Sequence, residues 1–335
     1  MRTGRIPGRS SRDSEVRRGI MVDVTGMRRA RTVSLEELRG SRRRRRRESA
    51  IRGAFFIAAA ISLVISALII LSLAGRAVQF LQEIDLSKLW TIGWFPRRGL
   101  FDIKTILVGS LLISAIAMLV ATPLGLGAAI YLSEYASPRT RKVLKPVIET
   151  LAGIPSVVMG YFALMFLSPH LIQKLFSGAT IFNLTAAGIG VGVLVVPLVA
   201  SVAEDAMFAV PGSIREASYG LGANRMTTAV RVVVPAAVSG IVAALILGVS
   251  RALGETMVVA IAAGGTGGSL FTINPLGPGQ TMTGAMASLA TGSDAVRGAA
   301  AAYPSLFFVG FLLFLMTFGL NVVSERFVRR VRRRY

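Results

Sequence analysis

The sequence predicts an all-α protein, a polytopic transmembrane helical bundle of six spans with both termini on the cytoplasmic side. Three observations carry that expectation: long apolar runs, a scarcity of charge between them, and basic clusters placed directly beside them. Of the 335 residues, 53% are hydrophobic and only 16% charged, with a mean hydropathy of +0.63. A soluble domain carries about a quarter of its residues as charges. Here the charge gathers at the two ends and in short interior stretches, as in a chain partly solvated by lipid.

Residues 1–53 come first and hold 17 of the 38 basic residues, all of them arginine. This stretch is poor in apolar residues, cannot bury a core of its own, and reads as a disordered cytoplasmic tail. A short helix over 33–39 is an alternative, since Ser34 can cap it with Glu37 three residues later. The apolar run 54–75 follows. It is too long, and its basic flank too extended, for a cleaved secretory signal, so it reads as a retained first span. An extracytoplasmic segment, 76–105, leads to a core over 106–323 with further spans at 106–132, 147–167, 184–203, 238–263 and 303–323. Each reaches the ~20 residues that cross the hydrocarbon. A basic tail, 324–335, closes the chain.

The connecting segments test the orientation. With the N-terminus inside, the inside segments carry 30 basic residues and the outside segments 7, the asymmetry expected when positive charge stays in the cytoplasm. Trp90 and Trp94 fall in the first outside segment, where an indole suits the headgroup layer. Small residues recur at helical spacing, with Ala152, Ser156 and Gly160 four apart and Gly188 and Gly192 likewise. Such positions let helix backbones approach closely, so the spans should pack as one bundle. Pro123, Pro155 and Pro197 interrupt three spans. Pro123 and Pro197 read as packing kinks. Pro155, with Ser156 beside it, is a candidate for a break that lines a pathway.

Composition also excludes chemistry. With no cysteine there is no disulfide, thiolate metal site or cysteine nucleophile. A single histidine, His170, leaves no multi-histidine metal site, and its neighbour Pro169 suggests an exposed loop. The reading assigns the chain no metal and no cofactor. The basic clusters flank apolar spans, so they read as topological signals and not as a nucleic-acid surface.

The segment between the fourth and fifth spans, 204–235, decides the class. It contains Arg215-Glu216-Ala217-Ser218-Tyr219-Gly220-Leu221-Gly222 and, nine residues after Gly222, Val232-Val233-Val234-Pro235. Pro211 suits a helix start, Ser213 can cap it, and Glu216 stands at the capping-box position. The small residues Ala217, Ser218, Gly220 and Gly222 leave one surface open to another protein. This block resembles the EAA loop of ABC importer permeases, with Ser218 where alanine is usual. The resemblance implies that Arg215, Glu216, Ala217, Gly220, Gly222 and Pro235 form a coupling element pushed by an ATPase. No lysine in the chain follows a glycine, so a phosphate loop is absent and the ATPase is expected to be a separate subunit.

Further blocks narrow the family. They are Tyr131-Leu132-Ser133-Glu134-Tyr135-Ala136, Leu151-Ala152-Gly153-Ile154-Pro155-Ser156, Ala203-Glu204-Asp205-Ala206 and Arg251-Ala252-Leu253-Gly254-Glu255-Thr256. From about Trp94 to Glu325 the chain resembles the phosphate permeases of the PstC type; the arginine-rich tail does not. The resemblance implies the type I ABC importer permease architecture in a bacterial plasma membrane. It also implies a pathway for inorganic phosphate formed with a second, PstA-like permease, served by two PstB-like ATPase subunits and a PstS-like extracytoplasmic binding protein.

The residues themselves point to the same region. Arg251 and Glu255 fall in the fifth span, four apart, and a charge within a span costs about 2.5–3.5 kcal/mol on insertion scales. A guanidinium suits phosphate oxygens; the alternative is an internal salt bridge that only locks helix packing. The glycine-rich 264–268 is either an anion-binding nest or a flexible loop. Other classes stay open at this point. An ABC permease for sulfate or molybdate fits the same residues. A secondary transporter would leave the EAA block unexplained, and a membrane enzyme would find few acid–base groups to work with.

Overall fold

The structure, a computed structural model, describes residues 42–265, 268–291 and 301–332. The short helix considered over 33–39 lies outside the described residues. Helix α1 (Arg42–Glu83) begins before the expected residue 54 and continues past residue 75. Straight-chain arginines lose little rotamer freedom in a helix, so winding propagates from the apolar run into the basic one. The chain divides into two units within α1, after Ser66. In the first unit, the described part of α1 turns its apolar side chains outward, with Phe55 and Phe56 both 73% exposed, a surface suited to hydrocarbon.

In the second unit, strands β1 (Gly93–Phe95) and β2 (Leu100–Phe101) pair antiparallel, and β3 (Ser269–Leu270) joins the other edge of β1. This small sheet corrects one expectation. Trp94 is fully buried, its ring 5.9 Å from that of Phe101, and only Trp90 is exposed as a headgroup-layer indole would be. Strand pairing turns Trp94 inward onto Phe80, Ile106 and Met282.

Helix α2 (Ile103–Ile130) carries the second span and widens into a π turn, Tyr131–Tyr135. The third span departs from its expected bounds of 147–167. Its first part is a separate amphipathic helix, α3 (Pro138–Leu151), capped by the Ser137 hydroxyl on the Thr140 amide at 3.2 Å. Pro155 disfavours helical geometry at Ile154, so α3 ends and α4 (Ser156–Phe162) starts afresh. It continues through a π segment, Ala163–Ile172, to Leu175. His170 therefore sits on a helix, stacked 5.1 Å from Phe166, and not in a loop. Helix α5 (Leu184–Phe208) is capped by Asn183, whose Oδ1 accepts the Ala186 amide at 2.7 Å.

Two short helices follow, α6 (Gly212–Gly220) and α7 (Arg225–Thr228), the latter running through a π turn to Ala236. The expected fifth span, 238–263, follows a sharp bend and is broken once within its length. The chain bends by 74° between Ala236 and Val238. Helix α8 (Val238–Leu253) then stops at Gly254, and α9 (Met257–Ala262) resumes after it. Among the described residues five helices are long and apolar enough to cross a membrane, or six with the bent pair counted as one span. Helix α10 (Met282–Thr291) stands where a loop was expected, and α11 (Ala302–Arg332) is the last span.

The glycines of the small-residue spacing stand at close helix contacts as expected, whereas Ala152 is exposed and cut off from Ser156 by the break before α4. Helices α2 and α5 pack along their length. A Cβ on Gly192 would come 2.8 Å from the Ala117 carbonyl oxygen, and one on Gly188 would come 2.7 Å from Ile116. Gly160 of α4 likewise lies against Val258 of α9. The alternating direction of the spans gives two ends. One carries the sheet and the turn where the Asn183 amide donates to the Ala262 carbonyl at 3.2 Å. The other carries α3, α6 and α7.

Candidate functional site

At the α6 end, one arginine organises three segments. The Arg215 guanidinium donates to both Glu134 oxygens, at 3.2 and 2.9 Å, and to the carbonyls of Met207 and Val210 at 2.8 and 2.5 Å. It thus fastens α6 to the π turn after α2 and to the carbonyl end of α5, where a cation is favoured. The Glu134 side chain is 4% exposed and that of Arg215 is 18% exposed. Arg215 therefore faces inward, and the outward surface of α6 belongs to its neighbours.

Glu216 and Ala217 are exposed, and Leu221 at the tip is 90% exposed. The expected capping box is absent: Pro211 occupies the cap position, and no side chain bonds to the first amides. Ser213 sits inside the helix, and Glu216 makes no capping bond to the helix start. At the other end Gly222 has φ +83°. Its amide donates to Tyr219 at 2.9 Å and the Ala223 amide to Ser218 at 3.2 Å. These are the paired bonds of a Schellman stop, which needs a residue free to adopt left-handed geometry. The fixed place of glycine in the motif thus has a backbone cause. Gly220 completes the helix with open space where a Cβ would stand. Pro235 follows the π turn Ala229–Val233, in which the Val234 amide bonds five residues back to Ala229. The wide turn absorbs the missing amide of Pro235 and precedes the 74° bend.

A second ionic cluster holds α3 beneath the bundle. Glu204 of α5 is fully buried and pairs with Arg141 and with Lys145, the latter at 2.7 Å, while Lys145 also reaches Asp205. Although burial opposes its charge, hydrogen bonds to Asp205 and Glu204 hold the Lys145 ammonium above its ordinary pKa. The Arg141 guanidinium also lies 3.5 Å from the Phe208 ring centroid. Sequence reasoning assigned no role to Glu134, Arg141, Lys145 or Glu204. Glu134 and Glu204 stood within quoted blocks, but their partners lie far along the chain, and no local spacing signals such pairs.

The Arg251–Glu255 pair is present, at 3.5 Å, but not on one helical face within a continuous span. Gly254 ends α8 between them. Glu255 belongs to the break, where its Oε1 accepts the amides of Thr256 and Met257, each at 3.2 Å. Its side chain is 5% exposed and that of Arg251 53%, so the carboxylate is anchored and the guanidinium faces outward. The Thr283 hydroxyl of α10 donates to the Glu255 carbonyl at 2.7 Å, which ties the break to α10. Pro155 and Ser156 start α4, and Ser156 stands one turn before Gly160, which touches α9. Pro155 is exposed. It begins a span and does not interrupt one. Gly264 and Gly268 have φ +80° and +112° and pack closely against Phe182 and Phe95, so these two glycines serve tight turns.

Residues 121–335 match the family described as the binding-protein-dependent transport system inner membrane component. The chain belongs to this family. Within it the chain groups with the PstC-type permeases. The phosphate transport system permease protein PstC of Mesorhizobium japonicum is 31% identical, over 89% of this chain and 96% of its own length. That of Xylella fastidiosa is 30% identical, over 83% and 90%. The probable ABC transporter permease protein YqgH of Bacillus subtilis is 38% identical, over 59% of this chain and 68% of its own length. A chain in the crystal structure of a bacterial alginate ABC transporter, in complex with its alginate pentasaccharide-bound periplasmic protein, has a TM-score of 0.59 at 16% identity, covering 85% of this chain and 97% of its own. The architecture is that of a type I importer permease, and the permease is a multi-pass inner-membrane protein.

Proposed function

We propose that this permease forms, with a second PstA-like subunit, the membrane pathway by which an ATP-driven importer takes up inorganic phosphate. The likeness to proteins named phosphate transport system permease, over four-fifths or more of the chain, is the observation that carries the substrate. In this reading the α6 end faces the cytoplasm, as do both termini, consistent with the excess of basic residues there.

Two PstB-like subunits supply ATP hydrolysis, one of them docking on α6 through Glu216, Ala217 and Leu221, and Gly220 and Gly222 keep that surface free of side-chain bulk. Arg215 acts from behind, passing displacement of α6 to α2 and α5, and Pro235 sets the bend into α8. A PstS-like binding protein delivers phosphate at the sheet end. Arg251, held by the anchored carboxylate of Glu255, offers a planar fork of donors to the anion, with Pro155 and Ser156 opening the neighbouring span. The test is uptake of labelled phosphate, against labelled sulfate, by cells with and without the chain. Phosphate uptake that depends on the chain is expected. Dependence of sulfate uptake alone would overturn the substrate assignment.

A further inference from the structure

A cavity of about 290 Å³ opens at the sheet end of the bundle, away from α6. Helix α9 forms one wall through Met257 and Ala260, and α10 forms another through Ala287 and Ser288. Arg97, from the turn between β1 and β2, supplies a guanidinium, and Gln280 and Thr281 line the cavity where α10 begins. The start of α10 favours negative charge through the helix dipole, although its Met282 amide already donates to the Ser110 hydroxyl at 2.9 Å. Thr281 caps it, its hydroxyl accepting the Gly284 amide at 3.0 Å.

Gln280 makes the site more than a helix end. It is 3% exposed, and among the described residues no donor reaches its Oε1. Its orientation follows from its neighbours. The Ser288 hydroxyl gives its proton to the Ala285 carbonyl at 2.9 Å. The Ser288 oxygen can then only accept, and Gln280 Nε2 donates to it at 3.4 Å. The amide oxygen is left as a buried acceptor without a donor, which is costly unless something that binds brings a hydrogen. Positive potential at the cavity, and an orphan acceptor on a residue that lines it and would turn to meet a donor, suit an anion that still carries a proton. Hydrogen phosphate is such an anion; sulfate at neutral pH is not.

We propose that this cavity is a phosphate subsite on the outer part of the pathway, in which Gln280 Oε1 accepts the P–O–H hydrogen and so favours phosphate over fully deprotonated oxyanions. The inference rests on the phosphate reading above and adds a residue that discriminates. Arg97 and the start of α10 supply attraction common to any oxyanion, and Gln280 supplies the distinction. Because α9 leads directly from the break at Glu255, that break alone separates the subsite from the end of α8 that carries Arg251.

The absence of cysteine provides the test. Ala287→Cys places a single thiol of this chain in the cavity wall. The complete importer, with cysteine-free partner subunits, is reconstituted in liposomes. Labelling by an anionic methanethiosulfonate is then timed without the binding protein, in inorganic phosphate or in sulfate of equal ionic strength. Phosphate at several times its dissociation constant should slow labelling about fivefold, following simple one-site occupancy, and sulfate should do so far less. Adding Gln280→Leu should remove phosphate's advantage over sulfate. Equal protection by the two anions, or none by either, overturns the subsite when the same preparation imports phosphate. That comparison decides even where Gln280→Leu fails to assemble. If the unaltered importer moves no phosphate at all, the functional reading itself has failed.

Discussion

Replacing Arg215 by methionine tests the clamp that holds α6. The change keeps the apolar stem and removes four donated bonds, two of them to Glu134. Among the described residues, the Glu134 carboxylate would then be a buried charge supported only by the Ser133 hydroxyl at 2.7 Å. Breaking one partner of a buried ion pair costs about 3–5 kcal/mol, a large share of the ~5–15 kcal/mol that stabilises a typical domain. The cost is local, because α2 and α5 pack on each other without Arg215, so α6 should loosen while the bundle stays inserted. The purified complex should melt earlier, retain less ATPase on co-purification and import less phosphate per ATP hydrolysed. Arg215→Met with Glu134→Leu removes the orphan charge and should recover most of the thermal stability but not the coupling. A single variant as stable and as well coupled as the parent would refute the clamp, as would a double variant no more stable than the single.

Gly222→Ala should weaken coupling through backbone strain of about 1–2 kcal/mol and not through a clash, since no atom lies within 4 Å of a Cβ there. Gly222→Asn, more tolerant of left-handed geometry, should restore uptake toward normal. At the α8–α9 break, Glu255→Gln keeps an acceptor for the Thr256 and Met257 amides and should assemble better than Glu255→Leu. Arg251→Lys should assemble but import poorly if the planar fork matters, whereas unimpaired uptake by the Arg251→Gln, Glu255→Gln pair would end the pathway role. Gly192→Val should cost about 1–3 kcal/mol or more by overpacking α2 and lower the yield of assembled complex, and Gly127→Ala, which meets nothing within 4 Å, should leave yield unchanged. Reporter fusions within 133–146 and 210–230 should read as cytoplasmic and one at Gly279 as external; the reverse at 210–230 would place α6 beyond the reach of any ATPase.

The spans and the α6 motif were legible because both rest on local signals. Twenty apolar residues identify a crossing whatever it packs against, and Gly222 and Pro235 are fixed by the backbone of their own segment. The breaks were harder to read. Hydropathy cannot distinguish a continuous fifth span from α8 and α9, since Gly254 to Thr256 adds only one charge to an apolar run. The same blindness placed the third span too early: Val147, Ile148 and Leu151 are apolar, but Val147 and Leu151 face outward from an interfacial helix tied down by Arg141 and Lys145. Helix α10 went unseen because its sequence of alanine, threonine and glycine is too short and mild to signal a crossing. The capping box at Ser213 and Glu216 failed for another reason. Pro211 took the cap position two residues earlier than the pattern assumed, which leaves Glu216 exposed and without a capping partner.

The glycine seam between α2 and α5 bears on mechanical compliance. Where side chains separate two helices, rotamer changes can absorb part of a displacement. At Gly188 and Gly192 one helix backbone rests almost directly on the other, with 2.7–2.8 Å of room where a Cβ would stand, and densely packed contacts of this kind transmit strain with little loss. Arg215 grips the ends of both helices at once. A tug on α6 therefore meets a stiff double strut with almost no slack, some 37 Å long at 1.5 Å per residue over α5, and should emerge at the opposite membrane face as a shift of the whole strut, with the amplitude set by the stroke at α6.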